Sequence, residues 1–196
     1  REKSKTNFRL SMDVYADAAL TPGLWDLTRV ASSLDQVIVM AYDYNRPSSD
    51  YSGPVAPLSE IQESIAAIAR VVPNEKIILG VPYYGYEWPT YSKAPISKTR
   101  DTGYLATYKR IKELLSSPTS KKGWDEKSFT PFIISTESGR TTQIFYDDQL
   151  SLGLKYDLVN DADLGGVAIW ALGYEGENSE LWELLKNKFN KWHTIN

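Results

Sequence analysis

Residues Val37-Ile38-Val39-Met40-Ala41-Tyr42-Asp43-Tyr44 pass from a run of apolar side chains straight into an aromatic, a carboxylate and a second aromatic. A phenol beside a carboxylate sets a hydrogen-bond donor and an acceptor together at the mouth of the strand. A carboxylate flanked by aromatics is costly to bury without a partner or a task, so this pair is a candidate site. Two more stretches share the form. Ile77-Ile78-Leu79-Gly80-Val81-Pro82 runs into Tyr83-Tyr84-Gly85-Tyr86-Glu87-Trp88, and Gly165-Gly166-Val167-Ala168-Ile169 ends in Trp170.

Such continuous apolar runs are the pattern of parallel strands buried on both faces. Their C-terminal ends carry the chemistry in barrel and open α/β enzymes. Helical spacing of Leu24, Leu27, Val30 and Ala31 predicts a connection over 21–34, after a strand over Phe8–Tyr15. Ile61, Ile65, Ile68 and Val72 share one face of a helix expected over 58–72, with Ser59 and Gln62 at capping-box spacing. The order is βαβαβ with short connections, which implies a parallel sheet with helices outside.

The alternation stops at Trp88. Residues 89–142 read as a small α+β insertion, with a helix near 106–116 and a hairpin turning at Glu137-Ser138-Gly139. Trp124 is expected to anchor it. Residues 143–196 return to the α/β pattern. They hold a helix over 149–160, the strand ending in Trp170, and a last helix over 179–190 that packs Leu181, Trp182, Leu184 and Leu185 inward. The expected organisation is therefore 1–88, 89–142 and 143–196.

Composition narrows the chemistry. The 196-residue chain has no cysteine and a single histidine, His193, so disulfides, thiolate chemistry, a Ser-His-Asp triad and a histidine-rich metal site are not expected. No metal or cofactor is called for. Net charge is −3, without the basic footprint of a nucleic-acid binder. No apolar run approaches the roughly 20 residues that span a bilayer. Arg1-Glu2-Lys3-Ser4-Lys5 lacks a signal-peptide pattern and reads as a processed or cropped end. Thirteen Tyr and six Trp fit either dense packing or sugar stacking, since aromatic faces lie against the C–H faces of sugar rings.

Three strand ends together resemble a known family. Met40-Ala41-Tyr42-Asp43 is similar to the Met-x-Tyr-Asp motif on the sixth barrel strand of family-18 glycoside hydrolases, the chitinase family. Gly80-Val81-Pro82-Tyr83-Tyr84-Gly85 resembles its seventh strand, and Gly165 to Trp170 its eighth. Phe145-Tyr146-Asp147-Asp148, with Ser151 and Lys155, resembles the approach to that eighth strand. The resemblance implies an α/β fold: strands five to eight of a (β/α)8 barrel, with the α+β insertion between strands seven and eight. Such barrels take about 250 residues.

The family hydrolyses β-1,4-linked N-acetylglucosamine polymers, chitin or peptidoglycan, with retention and with the substrate's help. A Glu protonates the leaving oxygen, and the substrate's own acetamido carbonyl attacks the anomeric carbon. The resemblance makes Tyr42 a donor to that carbonyl, Asp43 its neighbour at the cleavage point, and Trp170 the floor under the sugar. Met40 lies beneath the acetamido methyl, Tyr83 and Tyr84 line the wall, and Tyr86 and Trp88 extend the cleft; Tyr86 stands where many chitinases carry Arg.

The family's catalytic signature, Asp-x-x-Asp-x-Asp-x-Glu, is not in these residues. Asp157 to Leu164 imitates it with the wrong first gap and no Glu, and reads as a solvated helix end. Asp147 and Asp148 read as a structural or helix-start pair, and Asp13 as a residue of the cleft rim. Two expectations follow for the 196 residues alone: a polypeptide without the acid and inactive by itself, or a non-catalytic chitin-binding relative. Either leaves strand edges that pair with a second copy or with the missing half. Family context implies secretion or display at the cell surface.

Overall fold

The alternation of apolar strands and helices closes into a parallel sheet. The computed structural model describes residues 8–21 and 26–190. Within them β1 (Ser11–Tyr15) leads through α1 (Leu27–Val30) to β2 (Gln36–Met40), and α2 (Leu58–Ile68) leads to β3 (Ile77–Pro82). The chain then turns into β4 (Tyr84–Thr90), β5 (Tyr104–Thr107), α3 (Tyr108–Leu115), β6 (Ser120–Asp125), β7 (Thr130–Glu137) and β8 (Arg140–Phe145). It ends in α4 (Gln149–Asp161), β9 (Gly166–Trp170) and α5 (Glu180–Phe189).

The strands make two sheets: a parallel one ordered β1-β2-β3-β9 and an antiparallel one ordered β5-β4-β8-β7-β6. This is a mixed α/β fold.

Register decides which face of the parallel sheet is filled. Val14 stands opposite Val39, and both are fully buried together with Val37, Leu79 and Val81. Helices α2, α4 and α5 supply Ile61, Ile65, Ile68, Leu152, Tyr156 and Leu181 to the same core. Burying side chains of this size contributes roughly 1.5–3 kcal/mol each. The opposite face carries Asp13, Tyr15, Ile38 and Met40, all at least partly open.

Several helix boundaries differ from the periodicity. Of the 21–34 connection, the described residues form α1, which Asp26 caps by accepting from the Arg29 amide, and a 3-10 turn at Ala31–Ser33; Leu24 lies outside the described residues. The strand expected from Phe8 starts at Ser11. Helix α2 follows Pro57 with no side-chain cap, since the Ser59 hydroxyl turns to Glu60, and it ends at Ile68 while Val72 packs beyond it. Ala106 belongs to β5; Thr107 caps α3 through the Arg110 amide. Ser138 and Gly139 both take positive φ, as a two-residue hairpin turn between β7 and β8 requires. Trp124 does not anchor the antiparallel sheet. It lies half-buried on edge strand β6, while Trp88, fully buried on β4, fills the cluster with Tyr84, Tyr86, Phe132 and Phe145.

Asp157 ion-pairs with Lys188 at 2.6 Å, and Asp161 closes α4. The carboxylate-rich segment before β9 is thus a helix end tied to α5. Asp148 caps α4 by accepting from the Leu150 and Ser151 amides, and Ser151 completes a reciprocal capping box. Its neighbour Asp147 is buried in an ion pair with Lys155.

Candidate active site

The turn after β2 forms the site. Met40 ends the strand, and Asp43 takes a left-handed conformation, φ 63°. Among non-glycine residues Asp and Asn adopt that region most readily. The turn swings the Asp43 carboxylate toward β4, where one of its oxygens accepts from two phenols, Tyr84 at 2.6 Å and Tyr86 at 2.8 Å. Alternation along β4 puts Tyr84, Tyr86 and Trp88 on one face. Their rings continue from Tyr42 as edge-to-face contacts with centroids 6.2, 5.5 and 5.7 Å apart. Edge-to-face geometry of this kind adds about 0.5–1.5 kcal/mol per pair.

Burial, then the Asp43 carboxylate, pushes both the Tyr84 and Tyr86 hydroxyls far above the ordinary phenol range. They remain donors throughout the neutral range. The Tyr42 hydroxyl is also raised, first by burial and then by Asp43 and Asp13. Unlike the other two it has no side-chain acceptor among the described residues, so its proton is free for an outside acceptor.

A cavity of about 560 Å3 opens beside Tyr42, within the size range of small-molecule sites. Met40, Asp43, Tyr15, Arg46 and Glu60 are among its walls. Asp13 shares the open sheet face with Met40. Trp170, 56% exposed, ends β9 opposite Pro82. With β3 between β2 and β9, Trp170 stands about two strand spacings, roughly 10 Å, from the end of β2. The Trp170–Ala171 peptide is cis.

The structure gathers Tyr42, Asp43, Tyr84 and Tyr86 into one hydrogen-bonded and ring-packed group, with Met40 beside it and Trp170 across β3. Tyr84 and Tyr86 are 2% and 8% exposed and lie behind Asp43, so what they touch is its carboxylate. Tyr83 is not on that wall. It is fully buried in the helix-covered core, where its hydroxyl meets Tyr156 at 3.2 Å and its ring meets Trp182.

Sequence reasoning missed Tyr15 and Arg46. Tyr15 shares the open face of β1 with Asp13 and is 55% exposed at a strand end, a signal that the strand-end rule could have used. Arg46 donates to the Asp43 backbone carbonyl at 3.3 Å, a contact across a turn that no spacing rule reveals.

Gly80 on β3 leaves room for the Val39 carbonyl and the Tyr42 ring beside it. A methyl group there would sit 2.6 Å from the Val39 carbonyl oxygen and 3.1 Å from the Tyr42 ring. Gly80→Ala is expected to cost roughly 1–3 kcal/mol, read as a lowered thermal midpoint, because the first of these contacts is backbone that cannot swing away.

The profile of Glycosyl hydrolases family 18 matches residues 1–175, and the chain belongs to that family. Human di-N-acetylchitobiase is 26% identical over 190 residues, covering 84% of this chain and 49% of that protein. The cortical fragment-lytic enzyme of Bacillus subtilis is 24% identical over 162 residues, 80% of this chain and 35% of the enzyme. Among solved structures, a family-18 chitinase of Cycas revoluta in complex with (GlcNAc)3 superimposes with a TM-score of 0.80 at 21% identity, over 92% of this chain and 55% of that one. The chain thus spans about a third to a half of the length of these curated relatives. No helix among the described residues is long and apolar enough to cross a membrane.

Proposed function

We propose that this chain forms the C-terminal half of a family-18 barrel. In this reading β1, β2, β3 and β9 are barrel strands five to eight, and the antiparallel sheet with α3 is the insertion between seven and eight. The whole protein is a glycosidase of β-1,4-linked N-acetylglucosamine polymers. The observation that carries the reading is the Asp43 carboxylate, fixed by two phenols at the mouth of the open sheet face beside the free hydroxyl of Tyr42. Family membership and likeness to di-N-acetylchitobiase and a cortical fragment-lytic enzyme support the substrate class.

In the reaction, a Glu from the other half of the barrel protonates the leaving oxygen. The substrate's acetamido oxygen attacks the anomeric carbon, the bond to the leaving oxygen breaks, and a cyclic oxazolinium forms, which water then opens. Tyr42 donates to the acetamido oxygen and aligns it. Asp43 balances the positive charge that develops on the acetamido nitrogen, a role for a preorganised carboxylate in a partly dry site. Tyr84 and Tyr86 act through Asp43 as positioning residues. Trp170 stacks under the sugar, and Met40 contacts the acetamido methyl. The open edges of β1 and β9 are where the remaining strands pair. The protein acts outside the cell or at its surface.

Because the acid signature is not in this sequence, the 196-residue polypeptide alone is expected to show no turnover of a labelled chito-oligosaccharide, whereas the full-length protein cleaves it. Turnover by the isolated chain would overturn the assignment of the acid to the other half. Binding without turnover by the full-length protein would favour a non-catalytic chitin-binding relative.

A further inference from the structure

Away from the cavity, a short three-stranded arrangement presents an exposed face that nothing in the proposed reaction uses. Tyr51 bridges Lys98 in antiparallel register, and the next pair, Thr90 with Thr99, places Tyr91 opposite Lys98 from the other side. The Tyr91 amide donates to the Lys98 carbonyl at 3.1 Å. Residues directly opposed in antiparallel pairs share a face, and residues two apart on one strand return to it. Tyr51, Tyr91, Lys98 and Arg100 therefore project together. The Arg100 guanidinium lies 4.8 Å from the centre of the Tyr91 ring, as that geometry requires.

The two tyrosines are 54% and 61% exposed, and Lys98 and Arg100 are exposed as well. No carboxylate among the described residues forms an ion pair with either cation. The rear of the same segment is firmly held. Ser52, fully buried, donates to Gln143 at 2.7 Å and accepts from the Ser97 amide at 3.0 Å, while Gln143 donates to the Ala94 carbonyl at 2.6 Å. A buried polar network thus fixes a face that covers nothing among the described residues. Rigid aromatic rings lose little conformational freedom on binding.

We propose that this face is a second carbohydrate-binding surface and that it takes a carboxylate-bearing glycan strand. Tyr51 offers its ring, and Tyr91 the ring face that Arg100 leaves open, to sugar C–H groups, while Lys98 opposite Tyr91 and Arg100 over its ring pair with carboxylates carried on the strand. Uncharged chitin satisfies the tyrosines alone; peptidoglycan, with its lactyl and peptide carboxylates, satisfies both. Loop 44–51 joins this face to the Asp43 turn, so a strand held here is tethered near the cleft. The surface itself does not depend on hydrolysis.

The test is retention of the full-length protein on insoluble peptidoglycan and on colloidal chitin, with turnover of a soluble chito-oligosaccharide as control. The Lys98→Glu/Arg100→Glu variant is expected to lose about tenfold in retention on peptidoglycan at low ionic strength, with chitin retention and soluble turnover unchanged. Tyr51→Ala/Tyr91→Ala is expected to lose retention on peptidoglycan as well. Should the charge reversal fail to fold, Lys98→Gln/Arg100→Gln and the salt dependence of wild-type retention give the same readout. Unchanged peptidoglycan retention in both variants, equal losses on both polymers after charge reversal, or no retention of the wild type would each overturn the proposal. Absence of soluble turnover in the wild type would instead count against the hydrolase reading and leave this surface untouched.

Discussion

Replacing Asp43 by Asn in the full-length protein is expected to lower turnover about 100-fold or more while leaving the thermal midpoint near that of the wild type. The amide oxygen can still accept from Tyr84 and Tyr86, and Asn tolerates the left-handed φ of 63°. What disappears is the negative charge facing the developing cation; losing one preorganised electrostatic partner typically costs 10²–10³ in rate, about 2.7–4 kcal/mol. Asp43→Ala adds structural damage. It strands two phenols without their acceptor, at roughly 1–3 kcal/mol for each that stays dry, and forces alanine into left-handed backbone. A near-normal rate for Asp43→Asn would reduce Asp43 to an anchor for the two tyrosines. A tyrosinate titration gives an independent check. Burial is the leading cause of the upward shifts and the carboxylate adds to it, so in Asp43→Asn the two phenols should titrate lower than in the wild type, though still above the ordinary range.

The largest loss of stability is expected at Lys155. It is fully buried, and its ammonium pairs with Asp147, itself 2% exposed. Removing one partner of a buried pair costs about 3–5 kcal/mol because the other charge is left uncompensated. Lys155→Met should therefore lower stability by that amount in denaturant unfolding. Burial already pushes the Asp147 carboxyl up against the pull of Lys155. Without the lysine that opposing pull is gone, and the folded-state value rises further above the unfolded one. An acid raised in the folded state binds its proton more readily when folded. Its stabilisation is complete below the unfolded value, near pH 4, and is lost as pH rises toward the folded value. The deficit of Lys155→Met should thus shrink between pH 7 and pH 5. The double variant Lys155→Met/Asp147→Asn should recover part of it at pH 7, since no buried charge remains. A deficit that does not change with pH would mean that lost packing of the lysine stem, rather than the stranded carboxylate, sets the cost.

Strand ends were legible because residue type changes there abruptly: apolar runs become aromatic and acidic where the backbone leaves the core at Tyr42, Tyr84 and Trp170. The bounds read for α4 and α5 also lie within about a residue of those observed. Features fixed by contact across the fold escaped. Tyr83 and Tyr84 are adjacent and chemically alike, but neighbours on an extended chain point to opposite sides. Only the packing of Tyr156 and Trp182 shows that Tyr83 faces the helices. That Tyr84 and Tyr86 converge on one oxygen of Asp43 depends on β4 leaving the parallel sheet to join the antiparallel one, a tertiary path with no local signature. Ser59 and Gln62 had the spacing of a cap, but spacing says nothing of where a hydroxyl turns, and Ser59 turned to Glu60. Asp26 was a readable cap that periodicity alone overlooked.

The central claim is that Tyr42 and Asp43 orient a substrate acetamido group which itself attacks the anomeric carbon. The most direct measurement compares cleavage of an N-acetylglucosamine oligomer with that of the matching glucosamine oligomer by the full-length protein. The account predicts cleavage of the acetylated oligomer and none of the deacetylated one, which has no carbonyl for Tyr42 to hold. Comparable cleavage of both would contradict it.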